Sequence, residues 1–206
     1  MFYETQLRDR KLLPHDPIKA IVTPRPVGWI STRALDGRVN LAPYSFFNAI
    51  SGSPPILCFS SDGLKDSVTF AQESGEFTWN LASLEHVQAV SKTSAPLPRG
   101  VSEFEVAGLT MAPCHLVKAP RVAEAHASLE CKVTHVIRLT NAKGEPIDNY
   151  LTIGEVVAVH IEDSFIVDGR FDTLRAHPLA RLGYKDYAAV ERIFELARPA
   201  GGGDGA

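Results

Sequence analysis

Three short segments near the start of the chain hold most of the side chains able to do chemistry. Thr23-Pro24-Arg25-Pro26-Val27-Gly28-Trp29-Ile30-Ser31-Thr32 and Asn40-Leu41-Ala42-Pro43-Tyr44-Ser45-Phe46-Phe47-Asn48 read as strands. Ser60-Ser61-Asp62-Gly63-Leu64-Lys65-Asp66-Ser67 reads as a turn entering a helix. Together they gather hydroxyls, a lysine, an arginine and backbone amides beside aromatic side chains. That inventory suits a ligand with a flat, hydrogen-bonding ring at one end and a phosphate at the other.

The phosphate end is the more explicit. A helix that begins near Lys65 aims its first amides and the positive end of its dipole at an anion, and Lys65 adds a full, mobile charge. Ser60, Ser61 and Ser67 add hydroxyls, whereas Asp66 would repel a phosphate and reads as a cap or local partner. For the ring end, Asn40, Leu41, Ala42, Pro43, Tyr44 and Ser45 offer backbone groups and apolar surface. Ala42 is small enough for close backbone approach, Pro43 stiffens the turn, and Ser45 carries a hydroxyl. The same run also reads as a strand with a proline bulge and core aromatics. Ser31 and Thr32 are strand-end hydroxyls, a common place for turn formers. Trp29 suits either a cover over the ring or the core. Arg25, held extended between two prolines, is placed to reach the phosphate, a second subunit or solvent.

Four pieces, residues 24–32, 40–47, Lys65-Asp66-Ser67 and Pro178-Leu179-Ala180-Arg181-Leu182-Gly183-Tyr184, occur in an order and spacing that resemble the flavin reductase-like, FMN-binding split-barrel family, across about residues 15–199. The resemblance implies an antiparallel Greek-key split β-barrel with bound FMN. It implies NADH or NADPH as reductant, and free flavin, oxygen, a partner monooxygenase or another redox protein as acceptor. It also implies a homodimer with FMN at the subunit seam. Ser31, Thr32, Lys65 and Ser67 would then stand near the phosphate. The segment from His177 to Tyr184 would close over the flavin or the seam, with His177 and Arg181 available to a pyridine nucleotide; a structural arginine satisfying carbonyls is the competing account. No catalytic protein nucleophile or acid–base pair is expected, because flavin carries the chemistry.

One position departs from that pattern. Many similar reductases carry an Asp-His pair before the last long strand, its histidine associated with nicotinamide binding, and this chain reads Asp148-Asn149. Asn149 is therefore a candidate nicotinamide contact through hydrogen bonding, with His177 as a substitute. A second reading is an FMN-bound electron carrier reduced by a protein donor. A third is a flavin-binding or pyridoxal-phosphate-like barrel without redox turnover.

The elements that must position these residues follow from periodicity. Residues 129–139 alternate apolar and polar, Asn141-Ala142-Lys143-Gly144-Glu145-Pro146 makes a turn, and 151–161 is a second long strand. Shorter strands are expected at 20–22, 27–32, 41–47, 56–60, 77–81 and 165–167, with a hairpin turn at Asp36-Gly37. Helices are expected at 65–74, at 83–92 with Ser83 as cap, and at 185–197, where Val190, Ile193, Phe194 and Ala197 share a face. Strand and helix do not alternate regularly, so the fold class is mainly β with a few helices rather than a doubly wound sheet.

Length and composition bound the rest. The chain has 206 residues, 45% hydrophobic and 22% charged, with a formal net charge of -3. One domain over 1–199 and a disordered tail over 200–206 are expected. The absence of a basic stripe argues against nucleic acid, and no run of eighteen apolar residues is present to span a membrane. A charged N-terminal segment without an apolar middle leads to a cytoplasmic expectation. Cys58, Cys114 and Cys131 form no CxxC pair and read as small packing residues. No metal is expected: Glu130 and His135 fall on opposite faces of one strand and cannot join His126 in one site.

Overall fold

Asp36-Gly37 makes the first hairpin, with Gly37 at φ 96° and the Asp36 carboxylate accepting the Arg38 amide at 3.1 Å. It joins β1 (Gly28–Arg33) to β2 (Val39–Tyr44), paired antiparallel from Gly28↔Tyr44 to Arg33↔Val39. This computed structural model describes residues 1–98, 101–197 and 199. The expected tail over 200–206 lies outside the described residues, as do Arg99, Gly100 and Arg198.

The run expected as one strand through Phe47 turns a corner at Ser45-Phe46 and resumes as β3 (Phe47–Gly52). At the corner the Phe46 carbonyl turns to accept the Ser60 amide at 2.8 Å. The Phe47 ring stacks on Trp79, centroids 6.0 Å apart. With β4 (Pro55–Asp62), β5 (Glu76–Leu81), β6 (Ala127–Thr140) and β7 (Pro146–Ile161) these strands form a seven-stranded antiparallel sheet of order β2-β1-β5-β6-β7-β4-β3. The sheet curls until its edges β2 and β3 stand side by side at the corner. Among the described residues no ladder bonds join these two edges. The Phe47 ring fills the seam instead, so close to Gly28 that a Cβ there would stand 2.6 Å from Phe47 Cδ2.

The long hairpin β6–β7 departs from simple alternation. Its pairing shifts between Ile153↔His135 and Gly154↔Val133. The shift reverses which residues face inward: Val136 packs on the inner core while Ile137 is 43% exposed. Gly154 admits the Phe77 ring, which would lie 2.4 Å from any Cβ added there. Glu130, at a position the alternation gives to solvent, is fully buried under residues 115–117.

Two hydrophobic clusters flank β1. Ile30, Phe59, Val68 and Phe77 fill the barrel beneath α1 (Asp66–Ser74). Trp29, Leu41, Val90 and Phe104 pack on the other face, against α2 (Val87–Lys92) and α3 (Glu103–Ala107). The open mouth between α1, β2 and these outer helices is thereby fixed from both sides. Ser83 precedes a 3-10 turn, Leu84–His86, and its hydroxyl pairs with His86 Nδ1 at 2.7 Å rather than capping a backbone amide. Likewise, Asp163–Phe165 is a 3-10 turn leading into the short strand Ile166–Val167.

Two expected elements are corrected. The strand at 20–22 is a helical turn, Ile18–Ile21, closed by Ile21 and Val22 amides on Pro17 and Ile18 carbonyls. The helix at 185–197 is absent. Tyr187–Ala189 instead pairs with Leu179–Arg181, which pairs with Arg25–Pro26, and residues 190–197 are irregular. That ladder claims the backbone of the first expected turn, and Ile193, Phe194 and Leu196 are exposed, with no core among the described residues packed on them. No helix among the described residues is long and apolar enough to cross a membrane.

Candidate functional site

A cleft of about 620 Å³ opens at the mouth between β2, the start of α1, and α3. Asn40, Ala42, Pro43 and Tyr44 form one wall, Leu64, Lys65, Asp66 and Ser67 the second, and Thr93 to Leu97 with Glu103 the third. Its size falls in the range that holds a cofactor-sized molecule.

Seven of the expected ligand residues therefore meet: Asn40, Ala42, Pro43, Tyr44, Lys65, Asp66 and Ser67. Asn40 Nδ2 donates to Ser67 Oγ at 2.7 Å, fastening β2 to the first turn of α1. Lys65 holds the cap position, its backbone extended at ψ 169°, and its carbonyl accepts the amides of Val68 and Thr69. The helix starts at Asp66, so its first amides face the cleft end beside the lysine. Burial raises the pKa of the Tyr44 phenol above its ordinary value, and its ring packs 4.9 Å from Phe59. Ser61 Oγ is buried.

The remaining expected residues stand elsewhere. Trp29 is fully buried and donates from Nε1 to Thr93 Oγ1 at 2.9 Å, so it belongs to the core beneath the cleft and does not cover a ring. Ser31 is sealed in and donates to the Pro120 carbonyl. Thr32 and Leu41 are likewise fully buried, Leu41 in the outer cluster. Arg25 is spent on carbonyls: its guanidinium donates to Lys19, Val22 and Leu182. Arg181 does the same at the 183–186 turn, donating to Tyr184 and Asp186 and lying over the Tyr187 ring at 4.4 Å. For Arg181 this is the competing structural account; Arg25, expected at the phosphate, a second subunit or solvent, is instead buried on carbonyls. Ser45 sits at the corner and Ser60 in β4, where it pairs with Leu151, both outside the cleft lining. Asn149 is half-buried opposite Asp62, and exposed His177 ends the helical turn Thr173–Ala176 at φ 42°. Neither lines the cleft.

Sequence reasoning missed the third wall. Thr93 to Leu97 follows α2 and carries no motif, only three small side chains, a proline and a leucine. Glu103 was hidden by distance along the chain. Its carboxylate accepts the Leu41 amide at 3.0 Å, and burial pushes its pKa up, with the Asp66 charge adding to the rise. The three cysteines behave as packing residues: burial raises each thiol's pKa, and Cys131 is fully buried.

The donor set fits a flavin nucleotide. A cation, a helix start and a hydroxyl meet at one end, and Ala42, Pro43 and Tyr44 line an apolar wall with backbone carbonyls and amides at the other.

The flavin reductase like domain family matches residues 21–175. An uncharacterized protein of Halalkalibacterium halodurans is 39% identical over 183 residues, 86% of this chain and 87% of that protein. Nitrilotriacetate monooxygenase component B from Bacillus cereus superposes with a TM-score of 0.86 at 30% identity, over 95% of this chain and 98% of its own. The flavoredoxin of Desulfovibrio vulgaris shares the fold, with a TM-score of 0.76 at 24% identity over 87% of this chain and 94% of its own. Sequence match, split-barrel architecture and cleft agree on a flavin-binding redox protein. The chain belongs to the flavin reductase-like, FMN-binding split-barrel family.

Proposed function

We propose that residues 1–199 form one FMN-binding unit that acts as an NAD(P)H-dependent flavin oxidoreductase, delivering electrons to a separate acceptor. The observation that carries this reading is the cleft wall in which Lys65, the start of α1 and the Asn40–Ser67 hydrogen bond converge. Lys65 and Ser67 would hold the phosphate, and Ala42, Pro43 and Tyr44 the ring system. When bound, the flavin supplies hydride and electron chemistry. The chain's own residues bind and orient it, and the Thr93–Leu97 segment with Glu103 limits water on one side.

The likeness to a monooxygenase component B supports a monooxygenase as the acceptor. Exposed Phe46, Ile50, Ile193, Phe194 and Leu196 support a homodimer with its flavin at the subunit seam, and the working compartment we propose is the cytoplasm.

A specific observation favours the second reading, an FMN-bound carrier. Asn149 replaces the histidine of similar reductases, and no imidazole lines the cleft among the described residues. Anaerobic mixing of the FMN-loaded protein with NADH, and separately NADPH, decides between them. Fast bleaching of the flavin band identifies a reductase. A protein that stays yellow until dithionite is added is a carrier. Failure to retain added FMN ends both readings in their tight-binding form.

A further inference from the structure

Glu85, His86 and His126 come together on the surface formed by the Leu84–His86 turn and the entry to β6. A nitrogen or oxygen donor atom of each lies within 4.8 Å of the others. We propose that these three side chains bind a divalent transition-metal cation of the zinc type, separate from the flavin cleft, with Glu162 as the outer partner that orients His126.

The geometry around His126 carries the inference. Its Nδ1 meets Glu162 Oε2 at 3.1 Å, while its Nε2 faces Glu85 Oε1. A carboxylate holding one imidazole nitrogen fixes the tautomer and leaves the other nitrogen's lone pair outward, the arrangement found behind metal-bound histidines. His86 Nδ1 lies 3.7 Å from the same Glu85 oxygen and pairs with the Ser83 hydroxyl at 2.7 Å, a contact the ion would replace. Both imidazoles are held: His126 stacks on Phe165 at 3.9 Å, and His86 lies 5.7 Å from His126 and 6.4 Å from Trp29. The backbone is pinned too, by Glu162 N to His126 O at 2.9 Å and Leu84 N to His177 O at 3.0 Å.

Exposure and charge agree with an ion site. The imidazoles are 13% and 17% exposed, whereas Glu85 and Glu162 are 57% and 54% exposed, which leaves an entry path and room for water on the open side. An ion bound at about 2.0–2.2 Å keeps its donors farther apart than Glu85 and His126 now stand, so the exposed Glu85 carboxylate swings away from Nε2 to admit it. Two imidazoles with a carboxylate suit zinc-like cations better than magnesium or calcium, which favour all-oxygen shells. Arg175, the nearby cation acting on Glu162, is engaged with the Ser164 carbonyl at 2.6 Å and the Phe165 ring.

The other such cluster among the described residues, Cys114, Glu130 and His160, is a weaker host. Both Glu130 oxygens are occupied, by the amides of His115, Leu116 and Val117 and by His160 Nε2, at 2.6–3.0 Å.

The test is titration of the untagged, chelator-stripped protein with Co²⁺, read by visible absorption, and with Zn²⁺, read by calorimetry. Stoichiometric binding is expected, with ligand-field bands and no sulfur-to-cobalt charge-transfer band. Glu162→Gln should weaken it by about 10- to 100-fold. The double variant H86N/H126N should lose it while keeping the wild-type circular dichroism and FMN affinity. Weak binding shared equally by wild type and the double variant overturns the proposal. A thiolate charge-transfer band also overturns it, since that places the metal at Cys114. If the double variant misfolds, Glu85→Gln, a change at an exposed side chain, decides: unchanged affinity refutes the site.

Discussion

The side-chain amide of Asn40 donates to the hydroxyl of Ser67 across 2.7 Å, and both groups are buried at the edge of the cleft. This bond couples a strand to the turn of helix that faces the ligand. Asn40→Ala should therefore weaken FMN binding by about tenfold and lower thermal stability by about 1 kcal/mol, since it removes one buried hydrogen bond. Fluorescence quenching of FMN and a thermal melt measure the two effects. A variant with wild-type FMN affinity would remove this pair from the site.

Lys65 tests the phosphate end separately. Lys65→Ala is expected to cost about tenfold or more in FMN affinity, the scale of a hydrogen bond to a charged group. Riboflavin, which lacks the phosphate, should bind the variant and the wild type equally. Equal losses for both ligands would show that the lysine does not meet the phosphate.

Glu103 predicts a pH dependence. Its folded pKa is raised above the ordinary 4.5, so the folded state holds this proton more tightly than the unfolded chain. The contribution favours folding in acid and is lost as pH rises from 4.5 through the raised folded value. Glu103→Gln keeps an oxygen for the Leu41 amide and removes the titration. Its stability should fall less over that interval than wild type does, in denaturant melts at matched ionic strength.

Glu130 runs the opposite way. Burial pushes its pKa up, but the amide of His115, the His160 ring and the amides of Leu116 and Val117 outweigh that and hold it below the ordinary carboxylate value. Its contribution is present above pH 4.5 and is lost as pH falls through the lowered folded value. Glu130→Ala strands three amides around a buried carboxylate position and should destabilise the fold by about 3 kcal/mol or more, read by chemical denaturation.

Asn149→His probes the reaction. Restoring the histidine of similar reductases should raise the rate of NADH- or NADPH-dependent bleaching while leaving FMN affinity unchanged. An unchanged rate would mean that position 149 does not limit nicotinamide use.

The inner site was legible because its parts are local. Lys65, Asp66 and Ser67 are consecutive at a helix start, and Asn40 to Tyr44 lie on one strand, so order and residue type suffice to pair them. Glu103 was not legible, because it reaches Leu41 from 62 residues away through one carboxylate–amide bond. Arg25 and Arg181 were left open for a related reason: a guanidinium that satisfies carbonyls has the same sequence as one that meets an anionic ligand. In the fold, the 185–197 pattern had the right period for a helix, but cross-strand pairing of Arg181 with Tyr187 took its first turn. The inward face of β6 was lost at a bulge, since one slipped residue exchanges Val136 for Ile137. His126 shows the same limit, because its partners Glu85 and His86 come from a turn forty residues earlier that no strand alternation could reveal.

Phe47 gives the barrel a property of its own. Its ring stands against the bare backbone of Gly28 and stacks on Trp79, so any side chain at position 28 would collide with it. Only Ser45 and Phe46 separate the end of β2 from the start of β3, and the Phe46 carbonyl is tied to the Ser60 amide. One ring, one glycine and one backbone bond thus hold the corner from which the Ala42-Pro43-Tyr44 wall of the cleft extends.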